Sequence, residues 1–413
     1  MKKILFTNIK TLIQTRETTA TLMPLRGAAM QHLPSINNAW LLIEGNRIKA
    51  YGQMDKCPSI EGDIIDLNGR MLLPSWCDSH THLVFAASRE NEFVDRINGL
   101  SYIEIAAKGG GILNSARKLQ AMSEDELYEN ALKRLEEVQQ FGTGAIEIKS
   151  GYGLSVEAEL KMLRVIKRLK ENTKLLIKAT FLGAHALPLA YKNDRSAYIR
   201  LIIDEMLPQI ASEQLADYID VFCEKGFFSV EETEQIILAG KQYGLRPKIH
   251  TNQFNCMGGI QVSVKHNALS VDHLEVINEK EIACLQNSNT ISTLLPSAPF
   301  FLNDHYPPAR KMLQANLPIA LATDFNPGSS PSANMPLAIA LACIKMQMLP
   351  EEALNAATLN GAFAMEVEQE LGSISVGKLA SFIITKPIPS IAYLPYSFGS
   401  NLVEQVMLQG IFV

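Results

Sequence analysis

Between residues 73 and 365 the sequence alternates short apolar runs with amphipathic segments, and this alternation more than anything else limits what the chain can fold into. The runs fall at 73–79, 144–149, 175–181, 218–223, 247–251, 269–273, 290–295 and 318–323. Helical patterns lie between them, two announced by capping boxes, Ser123 with Glu126 and Ser229 with Glu232. Eight strands alternating with helices predict a closed parallel (β/α)8 TIM barrel. An open doubly wound sheet shares that alternation, but polar residues follow runs one, two, three, five, six and eight, and only closure gathers six such ends around one point. Residues 1–70 and 371–413 are β-branched, rich in turns and without helical period, as in Ala39-Trp40-Leu41-Leu42-Ile43-Glu44-Gly45-Asn46. They predict one small β-sandwich domain built from both termini, leaving 71–370 as the catalytic barrel.

Composition narrows the function classes. The 413 residues are 47% apolar and 20% charged, enough for one large core and a smaller one. A charge of −5, from 43 acidic and 38 basic residues without blocks of one sign, offers no footprint for nucleic acid or an anionic membrane. No apolar stretch reaches the roughly 20 residues of a membrane span, and the N-terminus turns polar too soon for a secretory segment. A cytoplasmic enzyme of small-molecule chemistry is the expectation, with a homodimer as the default assembly. Six cysteines (57, 77, 223, 256, 284 and 343) lack C-x-x-C spacing and read as buried free thiols.

The chemistry gathers at the run ends. His80 and His82, in Asp78-Ser79-His80-Thr81-His82, stand at i and i+2 and point the same way, so a strand could offer both rings to one metal ion. Asp78 is placed to fix a ring tautomer from behind. His250 closes Arg246-Pro247-Lys248-Ile249 as a third ligand. Asp324 follows Ile319-Ala320-Leu321-Ala322-Thr323, where an unpaired carboxylate would be costly and metal coordination would remove that cost; a turn or helix-capping Asp is the plainer alternative. A Zn²⁺ or Fe ion held by three nitrogens and one oxygen could lower the pKa of a water to about 7.

His273, in Val271-Asp272-His273-Leu274-Glu275, suits proton transfer, donation to the attacked oxygen, or a fifth ligand position. His185 and Tyr152 would line the same mouth as neutral donors, or serve as hydrogen-bonded structural residues. Arg89, seven residues past His82, could clamp a carboxylate, or else form a surface salt bridge with Glu90 or Glu92. Gly109-Gly110-Gly111 reads as a mobile loop. His32, His266 and His305 read as solvated.

Longer stretches carry a resemblance. Leu73-Pro74-Ser75-Trp76-Cys77-Asp78-Ser79-His80-Thr81-His82, Ser88-Arg89-Glu90-Asn91-Glu92-Phe93, Glu147-Ile148-Lys149-Ser150-Gly151-Tyr152-Gly153-Leu154, Phe181-Leu182-Gly183-Ala184-His185, His250-Thr251-Asn252-Gln253-Phe254 and Thr323-Asp324-Phe325-Asn326-Pro327-Gly328-Ser329 together resemble the imidazolonepropionases, amidohydrolase-superfamily enzymes of histidine degradation. The resemblance implies hydrolysis of the ring amide of 4-imidazolone-5-propanoate to N-formimidoyl-glutamate. It implies one Zn or Fe ion on His80, His82, His250 and Asp324, the same four residues that spacing selects. It further implies that Arg89, Tyr102, Tyr152, His185, Gln253, Asn326, Gly328 and Ser329 contact substrate or product. His273 would polarise or protonate, and Asp324 would pass a proton to the leaving nitrogen. Where many relatives have a Glu that could act as a base, this chain has Gln253, and a neutral amide cannot take a proton. Pro74-Ser75, Cys77 and Gly377-Lys378-Leu379-Ala380-Ser381 also depart from the usual pattern, away from the proposed ligands. A purine or pyrimidine aminohydrolase would share the histidines and the terminal Asp but has no evident need of a carboxylate clamp at Arg89; a noncatalytic metal-binding scaffold is the other alternative, and retention of His273 and Asp324 argues against it.

Overall fold

A computed structural model of the chain describes residues 2–17, 23–100, 104 and 108–413. Eight parallel strands, Trp76–Thr81, Thr143–Lys149, Leu176–Ala184, Tyr218–Cys223, Arg246–Thr251, Ser270–His273, Ile291–Leu294 and Ile319–Leu321, follow one another in a single sheet. The first and eighth meet at a seam. There Thr81 bridges Phe325, the Asp324 amide donates to the His80 carbonyl at 3.0 Å, and Asp78 accepts from the Thr323 amide at 3.0 Å and its hydroxyl at 2.6 Å. The sheet therefore returns on itself as a (β/α)8 barrel.

All eight expected runs become barrel strands, but the first strand begins at Trp76, three residues after the start of its run. Leu72–Pro74 pairs antiparallel with Phe382–Ile384 in a different sheet, whereas the Trp76 amide donates to Gly142 inside the barrel at 2.9 Å. An unbroken apolar run does not reveal a change of hydrogen-bond partner at Ser75. The strands are buried along their length because helices cover the outside while the inside is filled, which suits fully apolar runs to parallel pairing. Both expected capping boxes form, and a third, Asn278 with Glu281, opens helix Glu279–Gln286. Helix Val156–Asn172 packs along the third strand, and its Leu160, Leu163 and Ile166 join Ile146, Ile148 and Ile177 in the core that fills the early half of the barrel.

The two ends of the chain build one further sheet. Its strands are Lys3–Ile13, Ser35–Glu44, Arg47–Gln53, Asp63–Asp66 and Leu72–Pro74 from the first part, and Phe382–Thr385, Val403–Leu408 and Ile411–Phe412 from the last. The long first strand shifts register between Phe6 and Ile9, with Asn8 at φ 51° taking up the bulge. Phe6, Leu41, Ile43, Leu72, Phe382 and Met407 pack into one core drawn from both ends.

Two smaller expectations change. Gly111 opens helix Gly111–Ala121, so the glycine triplet runs into a helix instead of continuing as a loop. All six cysteines are free, with Cys77 and Cys223 buried as expected, but Cys256 is exposed and Cys57, Cys284 and Cys343 are partly so. Among the described residues no helix is long and apolar enough to cross a membrane.

Candidate active site

The C-terminal ends of the barrel strands bring the expected ligands to one place. His80 lies near the end of the first strand and His82 just beyond it, both inward because alternate residues share a face. His250 comes from the fifth strand, and Asp324 follows the eighth. His82 Nε2 and His250 Nε2 are 3.3 Å apart, and one Asp324 oxygen lies 3.6 Å from His80 Nε2 and 3.7 Å from His82 Nε2. His80, His82 and His250 form one group able to hold an ion, and His80, His273 and Asp324 form a second that shares His80.

The outer nitrogens decide what the inner ones can do. His80 Nδ1 lies 2.7 Å from Asp272 Oδ2, and His250 Nδ1 lies 2.7 Å from Asp220 Oδ2. A carboxylate accepts at each, which puts the ring proton on Nδ1 and a lone pair on Nε2, facing the centre. Burial, reinforced by neighbouring positive groups and rings, holds His80, His82 and His250 well below the usual histidine range, so the rings are neutral. His80 Nε2 is buried with no hydrogen-bond partner among the described residues. Converging lone pairs and an orphaned ring nitrogen beside a carboxylate make a donor set that a Zn or Fe cation fits.

The tautomer-fixing role expected of Asp78 belongs to Asp272 and Asp220 instead. Asp78 sits two residues further down the strand, spends both oxygens on Thr323 at the seam, and is pushed up to about 7 by burial. Behind the rings lies a charged cluster that sequence reasoning missed. Lys149 Nζ stands 2.7 Å from Glu147, 2.9 Å from Asp220 and 3.4 Å from Asp272, and Lys248 stands 2.5 Å from Glu147. All five side chains are essentially inaccessible to solvent. Burial alone would depress Lys149, yet the three carboxylates raise it, so it stays charged. The signal was present as charged residues inside otherwise apolar runs, Ile146-Glu147-Ile148-Lys149 and Ile219-Asp220-Val221, where a buried charge requires a partner.

His273 and Asp324 both have left-handed backbones, φ 90° and 55°, in a region that non-glycine residues seldom occupy and that gathers at functional sites. Burial depresses His273, but Glu275 at 3.2 Å and nearby Asp324 overcome it and raise the ring to about 9. Burial pushes Asp324 up to about 7, with His273 opposing. The two groups thus hold and release protons in different ranges beside one another.

Above them, Arg89 donates through Nε to Ser115 at 2.8 Å, while its Nη2 is buried without a hydrogen-bond partner among the described residues. Its guanidinium lies 5.6 Å from the centre of the Tyr152 ring. Among the described residues Arg89 forms no ion pair, because Glu90 bonds Ser88 and Glu92 accepts from the Gly111 amide. A Cβ on Gly328 would come within 2.5 Å of Arg89 Nη1, so only glycine leaves the guanidinium in place. His185 stacks on His82 at 5.4 Å, bonds the Gly151 carbonyl at 3.0 Å, and is lowered to about 4 by burial. Asn326 commits its amide to a turn, bonding Gly328, Ser329 and its own strand end, while the Ser329 hydroxyl donates to Asp324 at 3.3 Å. Gln253 is half-buried on the loop after the fifth strand. Tyr102 lies outside the described residues. His32 and His305 are exposed, and His266 pairs with Glu234 at 2.6 Å, so none of the three joins the site.

Comparison with known proteins gives the family and the fold. The amidohydrolase family profile matches residues 228–413. The chain is 58% identical over 408 residues to the imidazolonepropionase of Christiangramia forsetii, covering 98% of this chain and 99% of that protein. It is 59% identical over 407 residues to the imidazolonepropionase of Flavobacterium johnsoniae, covering 98% of each. Among solved structures, E. coli guanine deaminase superposes with a TM-score of 0.76 at 14% identity, covering 100% of this chain and 99% of that one. An adenosine deaminase from Xanthomonas campestris with bound Zn gives 0.71 at 15%, covering 100% and 92%. At such identities these two likenesses speak for the fold alone.

Proposed function

Because the chain belongs to the imidazolonepropionases of the amidohydrolase superfamily, we propose that it hydrolyses the ring amide of 4-imidazolone-5-propanoate to N-formimidoyl-glutamate, a step of histidine degradation. The observation that carries this reading is the buried Arg89 Nη2, without a hydrogen-bond partner among the described residues, at the mouth that holds a set of neutral imidazoles and one carboxylate. An anionic substrate tail accounts for the arginine; the ring ligands account for a hydrolytic metal.

His80, His82, His250 and Asp324 would hold one Zn or Fe ion. Bound there, the ion would activate a water and polarise the amide carbonyl. The remaining work falls to the chain's own groups. Arg89 would take the propanoate carboxylate in a bidentate pair, which fixes the ring's position relative to the ligands. His273, cationic near neutral pH with its Nδ1 committed to Glu275, would face the carbonyl oxygen through Nε2 and stabilise the negative charge that develops there. Asp324 would accept the water's proton and return it to the leaving ring nitrogen, with the Ser329 hydroxyl donating to the carboxylate. Tyr152 and His185 would flank the ring as neutral donors. Gln253 would orient and not exchange protons.

The guanine and adenosine deaminase likenesses do not favour an aminohydrolase, since the relatives at 58–59% identity are imidazolonepropionases. Turnover of freshly generated 4-imidazolone-5-propanoate, with metal quantified on the same sample, tests the reading. Expected are hydrolysis lost on chelation and, for Arg89→Ala, a KM raised about 100-fold, as removal of a charged contact implies. No turnover by a metal-replete protein, or an unaltered KM in the variant, would sink it.

A further inference from the structure

We propose that Lys149 is a positioning residue for the ring ligands: its buried ammonium sets where Asp220 and Asp272 stand, and through them how His250 and His80 present Nε2. The inference rests on the metal reading above and adds to it a residue that touches neither ion nor substrate.

The geometry forms two branches from one atom. From Lys149 Nζ, one runs 2.9 Å to Asp220, whose same oxygen lies 2.7 Å from His250 Nδ1. The other runs 3.4 Å to Asp272 Oδ2, which lies 2.7 Å from His80 Nδ1. Lys149, Asp220 and Asp272 come from the second, fourth and sixth strands; the two rings come from the first and fifth. Inward side chains of a barrel stack in layers supplied by alternate strands, so a layer of charges from even strands supports ligands from odd ones.

Lys149 is itself pinned. Glu147 holds it at 2.7 Å and is fixed in turn by Lys248 at 2.5 Å and the Thr180 hydroxyl at 2.6 Å. Lys248 donates to the carbonyls of Ala364 at 2.7 Å and Ser79 at 3.3 Å. Without the ammonium, two buried carboxylates would face each other across the space it leaves and move apart, drawing both rings with them. A buried ion cluster is weak support for stability in its own right. A carboxylate behind a metal-bound imidazole is an established means of orienting the ring. One ammonium serving two such carboxylates makes the orientations of two ligands interdependent.

The test compares the full-length protein with Lys149→Met and Lys149→Gln, at a temperature where circular dichroism shows each to be folded. Zinc affinity is read by competition with a chromophoric chelator, and ligand geometry by the visible absorption of the Co²⁺-loaded protein. Expected for Lys149→Met is a zinc Kd raised about 10–100-fold, the range seen when groups behind metal ligands are removed, with a shifted Co²⁺ spectrum. Lys149→Gln, whose amide can still donate to one carboxylate, should lose about 3-fold or more. A purely structural lysine would lower the melting temperature and leave both readouts of the folded chain alone. Wild-type zinc Kd and Co²⁺ spectrum in folded Lys149→Met overturn the proposal; should that variant fail to fold, the same result in Lys149→Gln does so. A wild-type protein that binds no metal overturns the metal reading itself, which is a different result from equal affinities.

Discussion

The terminal sheet and the barrel mouth are both buried, and they are buried in opposite ways. The sheet's core is Phe6, Leu41, Ile43, Leu72, Phe382 and Met407 with their apolar neighbours, where each side chain gains by leaving water and direction matters little. The barrel mouth buries Glu147, Lys149, Asp220, Lys248 and Asp272 beneath four histidines and an aspartate, where each group is costly to bury unless its partner stands in the right place. Burial in the first region supplies stability. In the second it supplies direction, because a charge that must be paired can be used to aim its partner.

That contrast can be broken by substitutions on either side. The largest effect belongs to Phe382→Ala: Phe382 is fully buried and meets Phe6 edge-on at 5.3 Å, so denaturant unfolding should show a loss of about 3–5 kcal/mol. The folded fraction should keep wild-type kcat and metal affinity, and a changed metal affinity would mean that the two regions are not separable. Next comes Asp220→Asn, which keeps the shape but removes the negative charge that faces His250 Nδ1. Zinc affinity should fall about 10–100-fold, and an equal affinity in competition titration would remove the directional role assigned to the buried carboxylates.

The smallest effect sharpens the comparison from an exception. Lys378, in the terminal region, is buried, and among the described residues its ammonium donates to the Leu371 carbonyl and the Ser373 hydroxyl alone. Burial lowers it to about 8. A lysine depressed below its unfolded value of about 10.4 destabilises the folded state while charged. Stability from this group therefore rises as pH climbs from about 8 towards the unfolded pKa, where the unfolded chain binds more protons. Lys378→Met should flatten that rise by about 1–2 kcal/mol between pH 7.5 and 9.5. Parallel melting curves for variant and wild type across that window would show that Lys378 keeps an ordinary pKa.

What the sequence made legible follows the same division. The strands were readable because burial on both faces leaves continuous apolar runs, and His80 with His82 because residues two apart share a face. Asp324 stood out as a carboxylate at the end of such a run. The partners of these residues were not readable. Asp78 meets Thr323 across 245 residues, His80 meets Asp272 across 192, and Lys149 meets Asp220 across 71. Those pairings depend on how strands register once the barrel closes, and no local pattern encodes that register. Assigning Asp78 to the ring tautomer used proximity along the chain where proximity across the barrel decides.

The seam between the first and eighth strands has a consequence for how the molecule comes into being. His80 and His82 leave the ribosome early and Asp324 late, and Asp78 must wait for Thr323 before its carboxylate is satisfied. A nascent chain that has delivered seven strands holds His80, His82 and His250 and an open edge, and does not yet have Asp324. Closure of the barrel is therefore a late step of folding, reached when Thr323, just past the eighth strand, meets Asp78, and it still precedes delivery of the strands at 382–412 that complete the terminal sheet.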